Sequence, residues 1–529
     1  MSASVNLLPT GMVSNDDVPG SAPSADLLRM EIRAYAEKLI AAAESPKDTT
    51  FKDFEGQLRP LLFAMARLVI TLFLCVWEER LRANLGSVVE SGAKTFAVRP
   101  AQPRKLNTVY GVVRYWRTYL RAGSENKDRV GYHPLDIKLG LTSDRLSMNL
   151  ASVIARLATK MSYAQTHAVL WWFMQDVPST EVIEKTVLGL GSTTAAWFEQ
   201  AAPPPDDGEV LVVLVDSKGA PTATEQELRL RRGKRRKSNQ PKSQRHRGRQ
   251  KRKRNGSKPR RNKGDKSKNA KMATMVVMYT LKRHGDKLLG PMNRWVYASF
   301  APKRHAFQIA LREATKRGFG PDSDKTIQLV TDGDDDLERY SKEYFPTAIR
   351  TIDIIHVIEY LWKAGACIFR EGSDELKAWM SKQKSRLYSG HIKAILRELR
   401  HQLAQVPKTG PGTKGKRERL AKAIGYIDKR QANMNYGELR QQDLEIGSGA
   451  VEGAIKHVIG LRFDHGGMRW IPERAEALLQ LRCIEVNGDW DPFINWVHSG
   501  VRRRMSRSSR PIAIQRKNPS SLPKIDEAA

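Results

Sequence analysis

At 529 residues the chain exceeds what one ordinary core organises, and about 150 residues per domain suggests roughly three folded units. Its 90 Lys and Arg against 57 Asp and Glu leave a formal net charge of +33, far more than solubility requires, which points to a polyanionic partner. Three cysteines, Cys75, Cys367 and Cys483, lie too far apart for a paired zinc site or a disulfide framework, and MSASVNLLPTGMVSNDD lacks the basic start and apolar core of a signal peptide.

In chain order, residues 1–26 are polar and expected to be disordered, and 27–143 should form a helical N-terminal region with a small hairpin. Two helices are predicted there, over LLRMEIRAYAEKLIAAA and from Phe54 to Leu85, because apolar residues recur at helical spacing. The stretch Leu61 to Trp77 is the most apolar of the chain. Arg67 interrupts it and it falls short of the about 20 residues of a membrane span, so a buried or oligomer-forming helix is expected and no membrane contact. NTVYGVVRYWRTYL, from Asn107 to Leu120, alternates β-branched and aromatic residues around Gly111 and reads as a short hairpin.

Residues 144–200 turn helical. Two helices meet at a short break, with Ser179 or Thr180 as N-cap of the second, which predicts a helix-turn-helix-like DNA-binding region; an ordinary helix pair has the same signature. AAPPPDD then marks a boundary.

The third region, 208–501, opens with EVLVVLVD, a continuous apolar run ending in Asp216, as in a strand buried on both faces. Residues 229–271 come next, with 22 Lys or Arg against one acid, Asp265, and almost no apolar residues, so a disordered basic insertion is expected that binds phosphates. Strand patterns resume in KMATMVVMYT and RWVYASF, then a helix from His305, the strand TIQLVTD ending at Asp332, a second helix and the strand AIRTIDII. That order matches a ribonuclease-H-like sheet. Residues 357–440 read as a mostly helical insertion, after which Gly447, Ser448 and Gly449 lead into a helix bearing Glu452; the tail 502–529 is basic and expected to be flexible. The fold class is therefore multidomain α+β: a helical N-terminal region with a helix-turn-helix, then a ribonuclease-H-like α/β catalytic domain.

Phosphodiester transfer with two metal ions needs carboxylates that hold both cations about 3.5–4 Å apart. Asp216 and Asp332, each closing an apolar strand, and Glu452 on a late helix are the candidate ligands, and oxygen donors suit two magnesium or manganese ions. A strand-end Asp is often only a turn residue, and Asp334, Asp335 and Asp336 beside Asp332 fit a helix N-terminus better than a metal site. His356 could assist near the scissile phosphate, or simply anchor a helix start. Trp470 could stack an unpaired base or fill a core.

Taken together, VDSKG at Asp216, LVTDGDDDL at Asp332, DIIHVIEYLW from Asp353 and IGSGAVEGAIKHVIGLRFDHGGMRW from Ile446 resemble ISKra-type insertion-sequence transposases and, more distantly, Mutator-like transposases. The resemblance runs from about Val210 to Leu481 outside the basic insertion. It implies that Asp216, Asp332 and Glu452 form a DDE triad and that Asp353 to His356 match the Asp-x-x-His element of the wider group. It implies magnesium-dependent cleavage and strand transfer at element ends, with terminal inverted repeats and target DNA as partners, a homo-oligomer, and a cytoplasmic, nucleoid-associated setting. Related chains often carry Cys pairs near the hairpin, which are missing here, and the basic residue many DDE enzymes hold seven positions after the Glu is replaced by Ile459, leaving Lys456 and Arg462 as substitutes. A ribonuclease-H-like nuclease without strand transfer and an inactive DNA-binding relic are the alternatives.

Overall fold

A computed structural model describes residues 22–44, 50–91, 94–122, 131–174, 176–229, 270–464 and 468–508. The chain is mixed α and β and divides into two compact units, one running to Thr193 and resuming at Trp490, the other spanning Thr194–Asp489.

The first unit opens with α1 (Ala25–Glu44) and α2 (Phe51–Ala83), which pack on each other. Residues 1–21 of the expected disordered start lie outside the described residues; the helix begins at Ala25. Next comes an antiparallel sheet in the order β1 (Val88–Ser91), β2 (Lys94–Thr108), β3 (Gly111–Ala122), β4 (Gly131–Tyr132). Its main hairpin is longer than expected, because β2 runs back through Pro103 and Pro100 with a register shift between Arg99 and Gln102 that masks the alternation. Gly111 sits just after the turn at φ +104°, a conformation that disfavours any side chain.

One face of α2 covers this sheet, with Leu74 buried among Leu106, Val113, Tyr115 and Leu135. Much of the rest is bare, which corrects the expectation of a buried helix: only 6% of its most apolar window is buried. Leu62, Val69 and Phe73, seven and four residues apart and so on one face, are all exposed. The reason is that α2 is apolar around most of its circumference while the sheet covers one side of it. By length and composition α2 could also cross a membrane, at mean hydropathy 2.1.

Four helices come after the sheet: α3 (Pro134–Leu139), α4 (Met148–Lys160), α5 (Tyr163–Phe173) and α6 (Thr180–Gly191). Ser179 caps α6 by accepting the Val182 N–H, as its sequence suggests. Every residue from Thr186 to Gly191 is buried, so α6 spends its second half on packing; its exposed residues are Thr180, Glu181 and Lys185, the last two paired at 2.7 Å. That leaves little basic surface for the reading face expected over Ser179–Leu190.

The second unit starts with α7 (Thr194–Gln200) and holds a five-stranded sheet of β5 (Val210–Pro221), β6 (Ala270–His284), β7 (Lys287–Ser299), β8 (Thr326–Thr331) and β9 (Ile349–Ile352). Their spatial order is β7-β6-β5-β8-β9; β5, β6 and β7 are antiparallel neighbours, and β5, β8 and β9 are parallel. Val210 through Val215 are all buried, which is why β5 reads as an unbroken apolar run. Parallel crossovers are made by α8 (Lys303–Lys316) and α9 (Asp335–Tyr344). The expected basic insertion, apart from Arg229 at the end of a short helical stretch and Ala270 and Lys271 in β6, lies outside the described residues.

After β9 come α10 (Ile354–Ile368), α11 (Asp374–Tyr388), α12 (Ile392–Gln405), α13 (Thr413–Arg430) and α14 (Tyr436–Gln441), the expected helical insertion. The chain returns to the sheet as α15 (Gly449–Ile455), a π turn at Lys456–Gly460, α16 (Leu461–Phe463) and α17 (Pro472–Asn487). The last described element, α18 (Trp490–Ser508), belongs to the first unit, where Trp490 Nε1 donates to Ser152 Oγ at 2.9 Å. This moves the expected limit at 501 and the start of the tail: Val501 and Met505 are buried, which holds the helix to Ser508, and 509–529 lie outside the described residues.

Candidate functional site

Strand register builds the site. Val215 of β5 lies opposite Thr331 of β8, and Thr331 opposite Ile352 of β9. The next residue on each of these parallel neighbours is an aspartate: Asp216, Asp332 and Asp353. Adjacent strands run about 4.8 Å apart, so three carboxylates arrive at one edge of one sheet. β8 and β9 end at this level, where an acid can also cap the turn or helix that the chain enters; β5, expected to end at Asp216, instead runs on to Pro221 because β6 stays paired with it. Asp332 Oδ1 accepts the Asp334 N–H at 2.8 Å, and Asp353 Oδ1 accepts that of Ile355 at 3.0 Å to start α10.

Glu452 is brought to the same edge by a chain of hydrogen bonds, buried where they reach Asp353. Gln328, fully buried in β8, donates to the Glu445 carbonyl at 2.6 Å and accepts the Glu445 N–H at 2.9 Å. The Ile354 N–H reaches the Ile446 carbonyl at 2.9 Å. Ser448 then donates its N–H to Asp353 Oδ1 at 3.0 Å and its hydroxyl to Asp353 Oδ2 at 2.5 Å, while its Oγ lies 3.3 Å from Glu452 Oε1. Four residues past Ser448, Glu452 is exposed on α15, which packs on β5 and β6.

Electrostatics tie the acids together. Burial pushes the Asp216 carboxyl up from its ordinary 3.8 to about 6; the Ser217 N–H opposes this, the Asp332 and Glu452 charges add to it, and His356 opposes it. Thus the structure brings Asp216, Asp332, Glu452 and His356 into one electrostatic cluster. His356 is one turn into α10, with Nε2 3.8 Å from Asp353 Oδ2, and it lines a cleft of about 420 Å³ together with Asp332, Tyr360, Tyr426 and Arg430.

The rival acids are occupied. Asp334 caps α9 and pairs with Lys303 at 2.6 Å, Asp335 is held by Lys429 and Arg430, and Asp336 pairs with Arg339 at 3.1 Å. Asp353, His356 and Glu452 offer ligand atoms within 4.8 Å of one another. Asp353 is fully buried, however, and its oxygens already accept three hydrogen bonds, so it serves better as the anchor of Ser448 than as an ion ligand. Its sequence motif marks Asp353 only as a first residue; the signal that could have found the anchor is its place at the end of a third strand.

The substitutes for Ile459 separate. Ile459 and Arg462 are buried, Arg462 lying over the Trp470 ring at 4.6 Å, whereas Lys456 is exposed one turn past Glu452. Trp470 is a core residue: it is 9% exposed, its Nε1 donates to the Phe463 carbonyl at 3.3 Å, and its backbone bonds Pro221 and Ala223 at the end of β5. No protein family model matches the chain, and no curated protein matches its sequence.

Burial of Asp216 beside other acids makes a stability prediction. Because folding raises the Asp216 pKa, its contribution is fully present below pH 4 and is lost as pH rises through about 6. In chelated, metal-free buffer Asp216→Asn should therefore stabilise the protein at pH 8 by roughly 1–2 kcal/mol, discounted for partial exposure, and not at pH 4. Thermal melts at the two pH values check this; parallel pH profiles for wild type and variant would show that burial does not raise the Asp216 pKa.

Proposed function

We propose that this protein is a DDE transposase, which cuts DNA at the ends of an insertion sequence and joins the freed 3′-hydroxyl to target DNA on a ribonuclease-H-like domain. The observation that carries the reading is the convergence of Asp216 and Asp332, side by side on the neighbouring parallel strands β5 and β8, with Glu452 of α15. The strand order of that sheet, three antiparallel strands and then two parallel ones, supports the ribonuclease-H-like assignment. The motifs resembling ISKra-type transposases supply the step from phosphoryl chemistry to transposition.

The donor set fits divalent cations: three acids whose mutual repulsion a dication would relieve, with no cysteine among them. Asp216, Asp332 and Glu452 would hold two magnesium or manganese ions, which supply polarisation of the attacking and leaving oxygens. The chain's own part is to hold these carboxylates in register. His356, 31% exposed at the rim, can pair with a phosphate oxygen when protonated, and Lys456 offers a second cation on the Glu452 helix. Incubating the protein with an end fragment and a plasmid target tests the whole reading. Nicked ends and joined products are expected; cleavage without joining would make it a nuclease, and binding without cleavage a relic.

DNA is the expected polyanion, and most of the net charge sits in residues 229–271. Replacing this stretch by a neutral Gly/Ser linker should flatten the dependence of log affinity on log salt, measured by fluorescence anisotropy; an unchanged slope would rule it out as a phosphate-binding arm. The bare face of α2 supports self-association. Leu62→Glu with Val69→Glu should lower the mass seen by light scattering to that of one chain, and a mass equal to wild type would dismiss α2 as the contact.

A further inference from the structure

Helix α13 of the insertion reaches across about a hundred residues of sequence to grip the loop after β8. The Tyr426 hydroxyl donates to the backbone carbonyl of Asp332 itself at 2.7 Å. One turn on, Arg430 Nε donates to the Gly333 carbonyl at 2.7 Å and its Nη2 bonds Asp335 Oδ1 at 2.8 Å, while Lys429 holds the same carboxylate at 2.6 Å. Gly333 is shaped for this contact: its φ is +79°, and a Cβ there would stand 2.6 Å from Arg430 Nε.

The grip is stiffened by a column of four side chains. The rings of Tyr360 and Tyr426 stack with centroids 3.9 Å apart, Arg430 lies over the Tyr426 ring at 4.5 Å, and Lys363 lies over the Tyr360 ring at 5.0 Å. Tyr360 stands one turn past His356 on α10. The same column therefore fixes both the Asp332 loop and the helix that carries His356. The column thus acts as a strut.

We propose that Tyr426 and Arg430 are positioning residues through which the helical insertion sets the Asp332 carboxylate, so that the seating of α13 tunes the divalent-cation affinity of the site. This rests on the reading of Asp332 as a cation ligand. Tyr426 grips the residue through its backbone and not through its carboxylate, one oxygen of which accepts the Asp334 N–H, and Arg430 fixes the next peptide, so the pair controls where the ligand points. A helix gripping two successive carbonyls and a side chain of one short loop holds that loop's geometry.

Manganese binding to the full-length protein, monitored by electron paramagnetic resonance without DNA, tests this apart from catalysis. Tyr426→Phe keeps the ring stack and loses only the hydroxyl; Arg430→Lys keeps the charge and loses the fork. Each should weaken manganese binding about three- to tenfold while melting within a few degrees of wild type; if one variant fails to fold, the other decides. Asp332→Asn is the reference and should lose the ion altogether. If both clamp variants bind like wild type while Asp332→Asn does not, the clamp is wrong and the ligand reading stands. Equal binding by wild type and Asp332→Asn would overturn the ligand reading, and the clamp with it.

Discussion

Asp216→Asn, Asp332→Asn and Glu452→Gln should each reduce DNA cleavage by about a thousandfold or more, with affinity for the uncut DNA within a few fold of wild type. Each amide keeps the volume of the acid and removes its charge. Since cation ligands act on charge that develops at the reacting oxygens, their loss is felt in the rate and barely in docking. Asp216 and Asp332 come directly after paired positions on adjacent parallel strands, so neither can stand in for the other from its own place. Glu452 lies on a separate helix, and the Gln variant also keeps an oxygen for the Ser448 hydroxyl. Timed cleavage of a labelled end fragment beside a gel-shift titration separates the two effects. A variant that still cuts at close to the wild-type rate would remove its residue from the triad.

Asp353→Asn is expected to have the second largest effect, on both stability and rate. The side chain is fully buried, and one oxygen accepts two backbone N–H groups while the other accepts the Ser448 hydroxyl. An amide has only one acceptor oxygen, so its NH2 must face a donor or leave one unmet, at about 2–3 kcal/mol. Those donors are the start of α10 and the turn before α15, so the change also loosens the helices carrying His356 and Glu452. Cleavage should fall about 100-fold as Glu452 drifts from the other acids. Ser448→Ala removes one of the three bonds and should cost only about 1 kcal/mol, with a smaller loss of rate. Urea denaturation and cleavage kinetics on both variants check the ranking, and wild-type stability in Asp353→Asn would show that the anchor carries nothing.

Local chemistry by itself determined a good deal. A strand buried on both faces must be a continuous apolar run, and its first acid marks where the strand leaves the core; EVLVVLVD and TIQLVTD therefore gave away both the strands and the level of Asp216 and Asp332. Gly447, Ser448 and Gly449 announced a helix start, which placed Glu452 in a first turn. Serine caps at Ser147, Ser162 and Ser179 are equally local, since each side chain bonds an N–H three residues on.

The tertiary structure alone decided whatever depends on partners distant in sequence. Asp353 follows a strand that the run AIRTIDII shows, but its function as an anchor comes from Ser448, 95 residues away. Tyr426 and Arg430 look like ordinary residues of a basic helix until α13 meets the Asp332 loop. Trp470 and Arg462, candidates for nucleic acid by type, are taken up by packing. Exposure is likewise non-local: α2 is apolar enough to be buried, yet the sheet that covers it has one side, and α6 carries polar residues at its start while its second half is sealed by the helices around it. A residue's type limits what it can do in the few residues beside it, and the folded chain chooses among those uses by what it brings within about 3 Å.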